Sequence, residues 1–257
     1  IRRYTQSNAV IDRQAAINAL SAFPTEQSLG NLLPLLEDGL LSVRIAAITQ
    51  LASIDLEQLN GAEQQAWRNA LTEAQQTLQQ QQDSPGLTLQ LSNLYSSIGD
   101  SESALKYVAQ ALVIAPDWPP ALINQAALYS GIGDEDLARA SLRRAISAYP
   151  EIGDPYFSLG LSQIRTNERD AALLNLKRAA GLSPNNAHYG YVYGIALYES
   201  GQTELGIEQI LTSYELAPSQ TYIGIAAASY QIQLGQFEQA NVTSTLLRQR
   251  AGENPQV

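Results

Sequence analysis

The chain has 257 residues, 45% of them hydrophobic, enough apolar material to bury a core rather than stay disordered. Fifteen basic against twenty-five acidic residues give a formal charge of −10, which repels phosphate backbones and anionic lipid, so nucleic acid and membrane surfaces are not expected partners. Cysteine is absent, which excludes disulfides and thiolate metal sites, and no run of about eighteen apolar residues is present to insert into a membrane.

From the amino end, Arg13-Gln14-Ala15-Ala16-Ile17-Asn18-Ala19-Leu20 matches Arg44-Ile45-Ala46-Ala47-Ile48-Thr49-Gln50-Leu51 at a displacement of 31 residues. Between them Leu32-Leu33-Pro34-Leu35-Leu36-Glu37-Asp38 reads as a further apolar helix ended near Gly39. Residues 1–56 thus resemble a pair of HEAT-type repeats. The resemblance implies that an aspartate at a helix turn pairs with an arginine early in the next helix, places that Asp38 and Arg44 occupy. Residues 57–84 set Trp67, Leu71 and Leu78 on one face of an amphipathic connecting helix, closed by Asp83-Ser84-Pro85. Its run Gln79-Gln80-Gln81-Gln82 reads as a solvated face.

A second repeat fills the remainder. Prolines stand at 116, 150, 184 and 218, each 34 residues from the next, where the ring stops a helix. Midway between them Gly99, Gly133, Gly201 and Gly235 keep the same period and Asn167 fills the fifth slot, as a left-handed turn residue requires. Small residues recur at Ser92, Ala126, Gly160, Gly194 and Ala228, and again at Ala104, Ala138, Ala172, Gly206 and Ala240, where paired helices must approach closely. The units run 85–118, 119–152, 153–186, 187–220 and 221–252. In the last, the second helix carries Asn241, Thr243, Ser244, Arg248 and Gln249, the polar outer face of a capping helix, and 253–257 reads as a tail.

These columns, with Tyr95 and Tyr129, resemble the tetratricopeptide repeat family. The predicted fold is all-α, an elongated right-handed α-α superhelix (a solenoid) of helical hairpins without β-sheet. The resemblance implies a binding groove on the concave face, lined by the first helix of each hairpin. By register, that face presents Asn93 and Asn124, then Phe157, Tyr191, Ile195, Tyr198, Tyr222 and Ile225, turning apolar and aromatic toward the carboxyl end. Relatives that clamp acidic chaperone tails use two asparagines and three cations here. Asn93 and Asn124 match the asparagines, but Leu89, Asp154 and Ser158 stand at the basic places, so no carboxylate clamp forms. The aromatic stripe has two readings: packing between neighbouring helices, or an open groove receiving an apolar peptide or an amphipathic helix.

No nucleophile motif, phosphate loop or acid-base pair appears, the lone His188 lacks partners for a metal, and no cofactor is expected. Arg143, Arg144, Lys177 and Arg178 recur on the second helices and read as a solvated face. The expected function is a non-catalytic protein-interaction scaffold. The order of HEAT-like pair, bridging helix and repeat array also resembles the C-terminal region of exported bacterial multihaem c-type cytochromes. That resemblance implies an alternative: an accessory module that docks or orients an upstream haem domain, with the periplasm the location the resemblance favours and the cytoplasm the other. The chain itself holds no Cys-x-x-Cys-His motif. Methionine is absent and the start Ile1-Arg2-Arg3-Tyr4 lacks an apolar leader, so the chain reads as a piece of a longer protein.

Overall fold

The computed structural model describes residues 2–21, 23, 25–52, 56–80 and 84–253, and among these every regular element is helical. They fall into two compact units, 1–134 and 135–257. Within the first unit one core is shared by the helices before residue 57, the connecting helix and the first hairpin. Ile17, Val43, Ile48 and Leu51 from the amino-terminal helices, Trp67 and Ala74 from the connecting helix, and Leu91 and Leu94 from the first hairpin form one buried cluster.

In the first unit α1 (Arg2–Thr5), α2 (Val10–Leu20), α3 (Thr25–Leu32) and α4 (Leu41–Leu51) precede the connecting helix α5 (Gly61–Gln80). The apolar helix expected at 32–38 is split. Residues up to Leu32 are α-helical and Leu33–Glu37 tighten into a 3-10 turn, because Pro34 cannot donate to the α-helical ladder. The 31-residue echo is repeated in hydrogen bonds. Ala9 N donates to Ser7 Oγ at 3.2 Å and Leu40 N to Asp38 Oδ1 at 2.9 Å. Arg13 Nη1 donates to the Ser7 carbonyl at 2.7 Å, and Arg44 Nη1 to the Asp38 carbonyl at 2.5 Å. The carboxylate of Asp38, however, takes Arg13, with Nε 2.7 Å from Oδ2 and Nη2 3.0 Å from Oδ1. Arg44 reaches Glu73 at 3.3 Å instead, so the aspartate pairs back to the earlier arginine. The side chains of Leu78, Gln79 and Gln80, and the whole of Gln81, Gln82, Asp83 and the tail after 253, lie outside the described residues.

The hairpins follow the 34-residue register. The first unit continues with α6 (Pro85–Ser97), α7 (Ser101–Ile114) and α8 (Pro119–Gly131). The second holds α9 (Glu135–Ala148), then the pairs α10 (Gly153–Arg165) with α11 (Arg169–Leu182), α12 (Ala187–Glu199) with α13 (Thr203–Leu216), and α14 (Thr221–Gln233) with α15 (Phe237–Glu253). Each turn closes the same way: the amides of Asp100, Asp134, Glu168, Gln202 and Gln236 donate to carbonyls five residues earlier at 2.8–3.0 Å. That bond needs a left-handed residue, and the four glycines and Asn167, at φ 62°, supply it. α7, α11 and α13 end two residues before Pro116, Pro184 and Pro218.

Where α12 crosses α13, two glycines meet. A Cβ on Gly206 would sit 2.7 Å from both the Gly194 carbonyl oxygen and the Tyr198 amide nitrogen, so only a bare backbone fits. At the matching crossing of α6 and α7, Ser92 uses its small side chain to reach the Ala104 carbonyl at 2.8 Å. The corresponding face of α15 is polar. Ile207, Ile210 and Tyr214 of α13 are buried, whereas their equivalents in α15 are Asn241, Ser244 and Arg248, exposed or half-buried.

Candidate functional site

In the first unit Asn93 lies exposed on α6 and Asn124 half-buried on α8. They are brought together: Asn124 Nδ2 donates to Asn93 Oδ1, and the Ser92 hydroxyl reaches Asn124 Oδ1 at 2.9 Å. Much of their hydrogen-bonding capacity is therefore spent on joining successive first helices.

In the second unit the first helices α10, α12 and α14 carry the aromatic stripe. Phe157 is only 8% exposed, stacks on Tyr189 with ring centroids 4.2 Å apart and meets the edge of His188 at 5.4 Å. Its ring is used for packing and offers no open surface. Tyr189 itself was not singled out from the sequence. It bridges α12 to α10 by donating its hydroxyl to Asp154 Oδ1 at 2.8 Å. Burial first, and the bond to Asp154 second, hold that hydroxyl well above the ordinary tyrosine range.

Tyr191 and Ile195 are half-buried and pack against the core cluster of Ile210, Tyr214 and Ile223. The ring of Tyr191 meets Tyr222 of α14 edge-on at 5.4 Å and 80°. Burial, then the neighbouring Tyr222, push the Tyr191 hydroxyl upward, so it stays neutral at physiological pH. Tyr198 lies against Tyr230, centroids 3.9 Å apart, with its hydroxyl 3.3 Å from Gln233 Oε1. Tyr230 also escaped the sequence reading, since it faces Tyr198 only across two helices.

The end of the stripe is open. Tyr222, Ile225 and Ile232 of α14 are 46%, 55% and 53% exposed, and α14 contains no charged residue. Tyr191, the equivalent of Ile225 in α12, is half-covered because α14 follows it. Arg143, Arg144, Lys177 and Arg178 are exposed on the second helices. Among the described residues no group of three or more His, Asp or Glu is placed to hold a metal, and no described helix is long and apolar enough to cross a membrane.

Comparison with known proteins places this geometry. A family model described as tetratricopeptide repeat matches residues 89–117 and 119–152. Among solved structures, the crystal structure of MamA is similar at a TM-score of 0.56 and 18% identity, over 66% of this chain and 93% of that one. MamA from Desulfovibrio magneticus RS-1 gives 0.50 and 18%, over 67% and 97%. YrrB, described as a TPR protein with an unusual peptide-binding site, gives 0.51 and 20%, over 71% and 93%. No curated protein matches by sequence. At these identities the likeness is one of fold: the chain is an all-α helical-repeat protein, and its residues 89–117 and 119–152 match the tetratricopeptide repeat.

Proposed function

We propose that the chain is a non-catalytic protein-interaction scaffold that receives an apolar peptide or an amphipathic helix on the first-helix face of residues 135–257. The observation that carries this reading is the exposed row Tyr222, Ile225 and Ile232 on the uncharged α14, beside the rings of Tyr191 and Tyr198. Water leaves such a surface favourably, and the tyrosine hydroxyls add hydrogen bonds to a partner backbone. Asn93 and Asn124 serve the partner only through the amide capacity they do not spend on each other. YrrB, of like fold, is described as binding a peptide, which fits the reading by analogy.

Two exposed side chains suit the test. Tyr222→Ala/Ile225→Ala leaves the core intact, whereas truncating Phe157 or Tyr191 removes packing. Immobilised wild type and double variant, both shown folded by circular dichroism, are compared for partner recovery from a lysate of the source organism. Recovery should fall with a loss of about 2 kcal/mol or more in binding and change little with salt. Equal recovery by the folded variant would remove this face from the interaction.

A further inference from the structure

We propose that a notch between the Asn167 turn and α12 is the anchor subsite of the binding face, taking one aliphatic side chain of an extended peptide. An acidic residue flanks that anchor on one side and a basic residue on the other. The proposal deepens the function proposed above and rests on it.

The notch encloses about 290 Å³. That is the lower edge of the ~300–1,000 Å³ typical of ligand pockets, room for a single side chain rather than a cofactor. Its apolar wall is aliphatic, from Ile164 of α10 and Val192, Ile195 and Ala196 of α12. One repeat later the places of Ile164 and Ala196 are held by Tyr198 and Tyr230, whose rings lie 3.9 Å apart. The notch is open because an isoleucine and an alanine stand where the next repeat puts two packed rings. An aliphatic group fills such a space without leaving a buried polar atom unpaired.

Charge selects what flanks the anchor. Arg169 and Glu199 also line the notch and are exposed. Arg169 Nε donates to Asn167 Oδ1 at 3.2 Å, so the residue that makes the left-handed turn also holds the guanidinium in place. A carboxylate of the peptide belongs beside Arg169 and a cation beside Glu199. Exposed pairs of this kind set orientation more than strength.

The probe is a phage-displayed library of random dodecapeptides, selected on the immobilised full chain. Wild type should yield a consensus of acidic, aliphatic and basic residues in fixed order, and Arg169→Glu/Glu199→Arg, exposed positions that leave the core untouched, should reverse that order. Ala196→Tyr, which copies the next repeat and fills the notch, should weaken the selected peptides at least tenfold. No consensus, a consensus without an aliphatic anchor, or the same charge order from the swapped variant overturns the proposal, even if Ala196→Tyr fails to fold. Peptides lost with Tyr222→Ala/Ile225→Ala but kept with folded Ala196→Tyr would leave the binding face standing and remove the notch from it. Peptides indifferent to all these variants would overturn both readings.

Discussion

Single residues carry consequences that differ sharply between positions of the same type. Gly206→Ala forces a methyl group to 2.7 Å from backbone atoms of α12, which only a helix shift relieves, so a loss of about 1–3 kcal/mol and a lower Tm are expected. Gly131→Ala, at the end of α8 with open space around its Cβ, should be neutral or raise Tm slightly by cutting unfolded-state entropy. Thermal unfolding of the two variants side by side checks the contrast; equal losses would mean that the close approach is not there. Asp100 caps α7 by accepting from the Ser103 amide at 3.0 Å. That bond, followed by the Ser103 hydroxyl, lowers its carboxyl below the usual range. A depressed folded-state value stabilises above the unfolded carboxylate range and is lost as pH falls through the folded one. Asp100→Ala should therefore cost about 1 kcal/mol near neutral pH, and its Tm gap to wild type should narrow on acidification. A gap that widens in acid would contradict the cap.

At the scale of elements, the amino-terminal echo and the hairpins are held by different physics. The Arg13–Asp38 pair is largely shielded from water and bidentate, and Asp38 also caps the turn before α4. Removing the carboxylate leaves the half-buried Arg13 guanidinium with the Ser7 carbonyl alone, so Asp38→Ala should cost about 2 kcal/mol, whereas exposed Glu73→Ala, at the far end of the Arg44 pair, should cost less than about 1 kcal/mol. Urea unfolding of both distinguishes them. Within residues 135–257, α14 and α15 have packed neighbours on one side only and end on the polar Asn241, Ser244 and Arg248. Their amides should exchange with solvent before those of α10 to α13, and uniform protection would contradict a nearest-neighbour array. Most of this was legible in sequence, because a repeat tests each position several times: Asn167 was readable as a left-handed turn since four glycines share its slot. Pairings across elements were not. Nothing local says that Asp38 turns back to Arg13 rather than to Arg44.

For the whole molecule, the fold was written in the period and the face in the register, but accessibility was not. Phe157, Tyr191 and Ile225 share one column, yet the first is buried, the second half-covered and the third open, because the first two are covered by the hairpin that follows and no described hairpin follows α14 and α15. The notch beside Asn167 was hidden for the same reason: it exists only as a difference between Ile164 with Ala196 and Tyr198 with Tyr230 one repeat on. The likenesses of residues 1–56 to HEAT repeats and of the whole order to multihaem cytochrome proteins rest on sequence pattern alone. In the function proposed above, the chain works by holding a partner on its first helices. The most direct measurement is hydrogen exchange of the full chain, alone and with the partner captured by wild type, read residue by residue. Exchange should slow in α12 and α14 and around the Asn167 turn, with α13 and the outer face of α15 unchanged. Protection confined to the second helices or to residues 1–84 would contradict it.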